Sequence, residues 1–220
     1  MTDKIVATEL IYLNVKPIVK PEDDDSATGR LFLNCVEQLR LQPHAASVFW
    51  GRSIDNPDIV AVAVRWTSTD ERAPTNYFRP YEVDSAPETR VFYVGFDAGD
   101  LTSYPTTEIA LPSFSTDATS GEELDLVIHT FMEALSQIPD SNICALGVRG
   151  GWMSPIASEA SPTGLASMFA MVVGWPSKNA HLAAAETETF KAPFGPMIER
   201  MIPFGEDGPG IHLMHFKFRG

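Results

Sequence analysis

The chain has 220 residues, 44% of them apolar, and 16 Lys and Arg against 29 Asp and Glu give a formal net charge of −13. That length admits one large domain or two of about 100 residues, with apolar surface enough for a buried core. Such acidity repels phosphate and excludes a sequence-independent nucleic-acid binder, and no apolar run approaches the roughly 18–20 residues of a membrane span.

The first strand is predicted over residues 8–15 and ends at Pro17 and Pro21. Ser26 or Thr28 can cap a helix over 29–41, whose Leu31, Phe32, Cys35, Val36 and Leu39 recur at helical spacing. Pro43 stops it. Strands follow over 46–52 and 59–66, joined by the turn Asp55-Asn56-Pro57-Asp58, and then a Pro-punctuated polar stretch over 67–88. A strand over 90–96 closes the first unit. The order then repeats. A strand over 107–111 leads to a helix over 121–137, capped by Ser120, with Leu124, Val127, Ile128, Phe131, Met132 and Leu135 on one face. Strands are predicted over 143–153 and 165–175, with a turn between them. A helix over 178–201 is expected to be interrupted at Pro193 and Pro196, and a strand over 210–218 ends the chain.

Apolar strands run into Trp66-x-Ser68 and again into Trp175-x-Ser177, and Thr8-Glu9 is matched by Thr107-Glu108. The reading is therefore one βαββαβ unit written twice: units at 1–98 and 107–220 joined by a linker at 99–106, an α+β fold of two ferredoxin-like units. The last strand of each unit is apolar on both faces, so each sheet is expected to carry helices on one face and the other sheet opposite.

The chain resembles the dimeric α–β barrel proteins, specifically fungal proteins with two tandem antibiotic-biosynthesis-monooxygenase-like domains. The resemblance rests on Thr8-Glu9, Val48-Phe49-Trp50-Gly51-Arg52, Trp66-x-Ser68, Thr107-Glu108, Gly150-Gly151-Trp152, Gly174-Trp175-x-Ser177-x-Asn179-Ala180-His181 and His215-Phe216-Lys217-Phe218. It implies that the fused units form, within one chain, the barrel that single-domain relatives build from two. It also implies a second helix after Trp66, but there Pro74 and Pro80 would each remove an internal helix bond, and the segment is shorter than its counterpart after Trp175. Tyr77, Phe78 and Tyr81 in that segment either form a lid over an enlarged pocket or plug a collapsed one.

Five His are present, and no pair has metal-ligand spacing supported by a third ligand, so no metal is expected. His215 aligns with Tyr93 on the final strands, and this pair is the leading acid–base candidate; His181, opening the last helix, is the third candidate, with packing or capping as its alternative. Tyr12, Asn14, Trp50, Arg52, His129, Arg149 and Trp152 join Tyr77, Phe78 and Tyr81 as candidate substrate contacts. For the Trp residues a core role is the alternative, and for the Arg residues a rim salt bridge. Phosphate loops and nucleophile elbows are missing, and Gly147-x-x-Gly150-Gly151 precedes no helix, so it reads as a bulge or a close approach within a sheet. Cys35 and Cys144 suit buried thiols in a reducing compartment, and Met1-Thr2-Asp3-Lys4 shows no secretory signal, so a cytoplasmic protein is expected.

Three functions fit. The first is an enzyme without cofactor acting on a small apolar polyketide- or terpenoid-like substrate by cyclisation or isomerisation. The second is a cofactor-free monooxygenase. The third is a non-catalytic binding or stress-response protein. The first is preferred because the sequence shows no well-defined base of the kind carbanion-forming oxygenation needs. A homodimer is an open expectation.

Overall fold

The computed structural model describes residues 4–23, 25–68, 75–83, 90–116, 121–203 and 211–220. The expected cap at Ser120 lies outside them. The chain divides into two compact units, Met1–Thr102 with Phe216–Gly220, and Ser103–His215. The division falls inside the last strand, between His215 and Phe216. No helix among the described residues is long and apolar enough to cross a membrane.

The first unit runs β1 (Ala7–Asn14), α1 (Ala27–Arg40), β2 (Ala45–Ser53), β3 (Ile59–Trp66), a 3₁₀ helix (Thr75–Tyr81) and β4 (Arg90–Val94). β1 lies between β3 and β4, antiparallel to β3 from Ala7↔Trp66 to Asn14↔Ile59 and to β4 from Thr8↔Val94 to Tyr12↔Arg90. β2 pairs with β3 and, from Trp50↔Arg219 to Ser53↔Phe216, with the end of the last strand. That pairing is why Phe216–Gly220 belongs to this unit. α1 starts where Ser26 Oγ accepts a bond from Gly29 N at 3.0 Å, satisfying an end-of-helix donor. Its Phe32, Val36 and Leu39 bury against Ile11, Leu13, Val62 and Val64.

Of the Pro-broken segment after Trp66, the described residues Thr75–Tyr81 form a 3₁₀ helix and not the amphipathic α-helix of the resemblance. Its described rings pack into the core of the first unit. Phe78 is fully buried, 5.0 Å from the Phe32 ring, and Tyr81 meets the same ring at 6.1 Å. Backbone bonds from Lys16 N to Tyr81 O and from Val83 N to Asn14 O hold the segment against β1. The aromatics plug the core because a 3₁₀ turn covers less surface than a helix and large rings fill the difference.

The second unit runs β5 (Thr106–Ser115), α2 (Gly121–Ser136), β6 (Gly147–Trp152), β7 (Ile156–Ala157), β8 (Leu165–Trp175), α3 (Lys178–Ala185), α4 (Glu188–Ile198) and β9 (Ile211–Arg219, whose last residues belong to the first unit). Its strand order is β9-β5-β8-β6, with β7 a two-residue addition to β8. β6 starts later than residue 143 because the preceding backbone is spent on the end of α2, where Ala145 N donates to Leu135 O. The core gathers Leu124, Ile128, Phe131 and Leu135 of α2 with Phe169, Trp175, Phe190 and Met197.

The last helix breaks before its prolines, not at them. Thr187 caps α4, accepting from Phe190 N, and separates it from α3, while Pro193 and Pro196 lie inside α4. Burial of Phe190 and Met197 holds that helix through the two missing donors, so tertiary packing outweighs local propensity. The glycine pattern of β6 reads as a close approach. Gly147 and Gly174 face each other across β6 and β8, and a Cβ would lie 2.3 Å from the Tyr104 hydroxyl at Gly147 and 2.3 Å from the Tyr104 ring at Gly174. Only glycine leaves room for that ring.

Candidate acid–base site

A polar cluster is buried in the second unit. β5 brings Glu108 opposite Val173 of β8, two residues before Trp175 ends that strand. Trp175 Nε1 donates to Glu108 Oε2 at 2.6 Å. The chain then turns into α3 through Ser177, whose Oγ accepts from Ala180 N at 3.0 Å. That capped turn sets His181 on the first turn of α3, with its ring stacked on Trp175 at 5.0 Å and 21°. Phe190 of α4 lies 6.0 Å from the same ring. From β9, His215 extends Nε2 to within 2.8 Å of His181 Nδ1, and Glu108 Oε2 lies 3.4 Å from that same Nδ1.

Glu108, His181 and His215 are 5%, 7% and 2% exposed, so water does not dilute their interaction. Nδ1 of His181 faces both Glu108 Oε2 and His215 Nε2, so one hydrogen shared between the two imidazoles lies beside the carboxylate. The three groups thus hold their donor and acceptor atoms close enough to share one proton.

The first unit has half of this arrangement. Glu9 is 1% exposed and accepts from Trp66 Nε1 at 3.0 Å. Across the β1–β4 register its neighbour is Tyr93, the residue expected to parallel His215. Tyr93 is 42% exposed where His215 is 2% exposed, so the two residues of the expected pair sit in different surroundings. Among the described residues, the Trp–carboxylate bond is common to both units and the imidazole pair is found only in the second.

The expectation that no His pair gains a third ligand also fails, because Glu108 meets both His in space though distant from them in sequence. The two aligned motifs that contain Glu108 and Trp175 were visible, and a Glu directly before the apolar run Ile109-Ala110-Leu111 was the available signal. The cluster joins His181 and His215 of the candidates. The structure places the others elsewhere. Tyr12 is buried between Phe92 and Phe216, each 5.5 Å from its ring. Trp50 belongs to the core beside Phe32. Arg52 is a salt-bridge residue, bound to Glu22 Oε1 at 2.7 Å and to the Val19 carbonyl at 2.8 Å. Asn14 is half-buried at the end of β1. Trp152 packs on Phe114 and Phe169 and donates to Asp125 Oδ1 at 2.5 Å. His129, on the solvent side of α2, contacts Asp125 O, and Arg149 is exposed on β6. A surface hollow of about 330 Å³ is lined by Arg40, Ala45, Ser47, Phe49 and Gly220 among others, and by none of the candidates.

No protein-family model matches the chain, and no curated protein matches it in sequence. Solved structures do match. A candidate chlorite dismutase superimposes at a TM-score of 0.56 and 12% identity, over 99% of this chain and 96% of that one. A candidate monooxygenase of Fusobacterium nucleatum subsp. nucleatum ATCC 25586 follows at 0.54 and 9%, over 97% and 92%. An anthrone oxidase-like protein gives 0.53 and 12%, over 100% and 93%. The likeness is one of fold. It extends over nearly the full length of this chain and of each neighbour.

Proposed function

We propose that the chain is an oxygenase without an organic cofactor that starts its reaction by removing a proton from an apolar, carbonyl-activated ring substrate. The observation that carries this reading is the buried Glu108–His181–His215 cluster. A preference for cyclisation rested on the lack of a base, and the cluster supplies one. Deprotonation of a ring CH₂ flanked by a carbonyl system leaves a carbanion that can give electrons to O₂. Loss of water from the resulting hydroperoxide yields a ketone, so one O₂ is consumed and one water released for each ketone formed. His181 and His215 hold the proton, and Glu108 compensates the positive charge that develops. The fold neighbours assigned as a monooxygenase and as anthrone oxidase-like are in line with this reading.

Anthrone is a suitable probe. The expected result is O₂ uptake matched by anthraquinone formation, with His181→Ala and His215→Ala each lowering kcat/KM by about 100-fold or more, the scale of general-base catalysis. Tyr93→Phe should leave turnover unchanged. Equal turnover without oxygen, or a product of unchanged mass, would replace oxygenation by isomerisation or ring closure at the same base. Undiminished turnover in both His variants would remove the cluster from the reaction.

A further inference from the structure

We infer that Glu108, His181 and His215 form a binding site for one divalent transition-metal ion of the Zn²⁺, Co²⁺ and Fe²⁺ class. Each residue offers one ligand atom, and these atoms lie within 4.8 Å of one another in a fully buried setting. Tetrahedral ligation at about 2.0–2.1 Å separates neighbouring donors by about 3.3–3.4 Å. The His181 Nδ1 to Glu108 Oε2 separation is 3.4 Å, and the 2.8 Å between the two imidazole nitrogens must widen to this range on ligation. Two imidazoles and one carboxylate suit these ions and not Mg²⁺ or Ca²⁺, which take oxygen-rich sites.

The supports of such a site are in place. The Trp175 indole N–H bonds the same carboxylate oxygen, and its ring lies flat against His181, so ligand orientation is set by groups behind the ligands. The first unit provides an internal control: Glu9 has the same indole bond, and no cluster of ligand type is found around it among the described residues. The ion would take the place of the shared proton, so its binding releases a proton and weakens as pH falls. Binding itself does not depend on the proposed reaction. Loss of that reaction in the metal-loaded protein does, because ion and substrate proton compete for the same lone pairs.

The test uses the full chain stripped by chelator and dialysed against Co²⁺ and then Zn²⁺. The expected result is one ion per chain by elemental analysis, visible Co²⁺ bands that Zn²⁺ abolishes, and at least about tenfold weaker binding in His181→Gln and His215→Gln. Glu108→Gln keeps an acceptor for Trp175 while losing the charged ligand, and should weaken binding with the circular dichroism unchanged. Glu9→Gln should bind as the parent does. Substoichiometric metal, or affinity retained in a folded His181→Gln/His215→Gln double variant, would overturn the site. These readouts need no substrate, so failure of the site and failure of the proposed oxygenation are separately visible.

Discussion

Tyr12 shows what burial does to one side chain. It is 5% exposed and lies between two Phe rings, and desolvation pushes its phenol well above the ordinary value of 10.0. The folded chain therefore keeps a proton that the unfolded chain gives up in alkali. The stability tied to this group is fully present below about pH 10 and declines as pH rises above it, because protonation then favours only the folded state. Thermal unfolding of the parent should accordingly drop more steeply than that of Tyr12→Phe between about pH 9.5 and 11.5. Parallel slopes would show that Tyr12 does not carry the effect. Glu108 belongs to the same scale. Its place was marked by the repeated Thr–Glu motif, but its partners were not, since nothing local to Thr107-Glu108 points to β9.

The 3₁₀ helix Thr75–Tyr81 decides the packing of the first unit at the scale of an element. Phe78→Ala should cost about 3–5 kcal/mol, the usual range for a buried Phe, measured as a shifted urea midpoint with unchanged m-value. Tyr77→Ala, at a half-buried position, should cost clearly less. An equal or smaller loss at Phe78 would return this segment to the role of a lid. Local sequence did announce that a helix fails here, because Pro74 and Pro80 remove donors. It announced the wrong break in the last helix, where Pro193 and Pro196 are accommodated and Thr187 makes the boundary. The difference is burial: Phe190 and Met197 anchor α4 in the core, and no comparable helix face exists between Thr75 and Tyr81.

For the molecule as a whole, the last strand links the two units along one backbone. Its final residues pair with β2, and Phe216 is fully buried against Tyr12. Deleting residues 216–220 should therefore lower amide-exchange protection in β1, β2 and β3 by exposing the β2 edge and opening a cavity at Tyr12. Protection in β5 and β8 should change less, since both pair within the second unit. Uniform loss across all these strands would show one cooperative body.

The sequence by itself determined the α+β class, the order of elements and most strand positions, because apolar periodicity, caps and turn residues act over a few neighbours. β8 falls on residues 165–175 as expected, and the repeated Trp–Ser and Thr–Glu motifs mark matching places in the two units. Only the tertiary structure decided which two of the five His meet, that Tyr93 is exposed and Arg52 salt-bridged, and that a carboxylate joins the two imidazoles. Those outcomes depend on strand register and long chain closures, which bring Glu108, His181 and His215 together across three elements, and no short window of residues encodes that meeting.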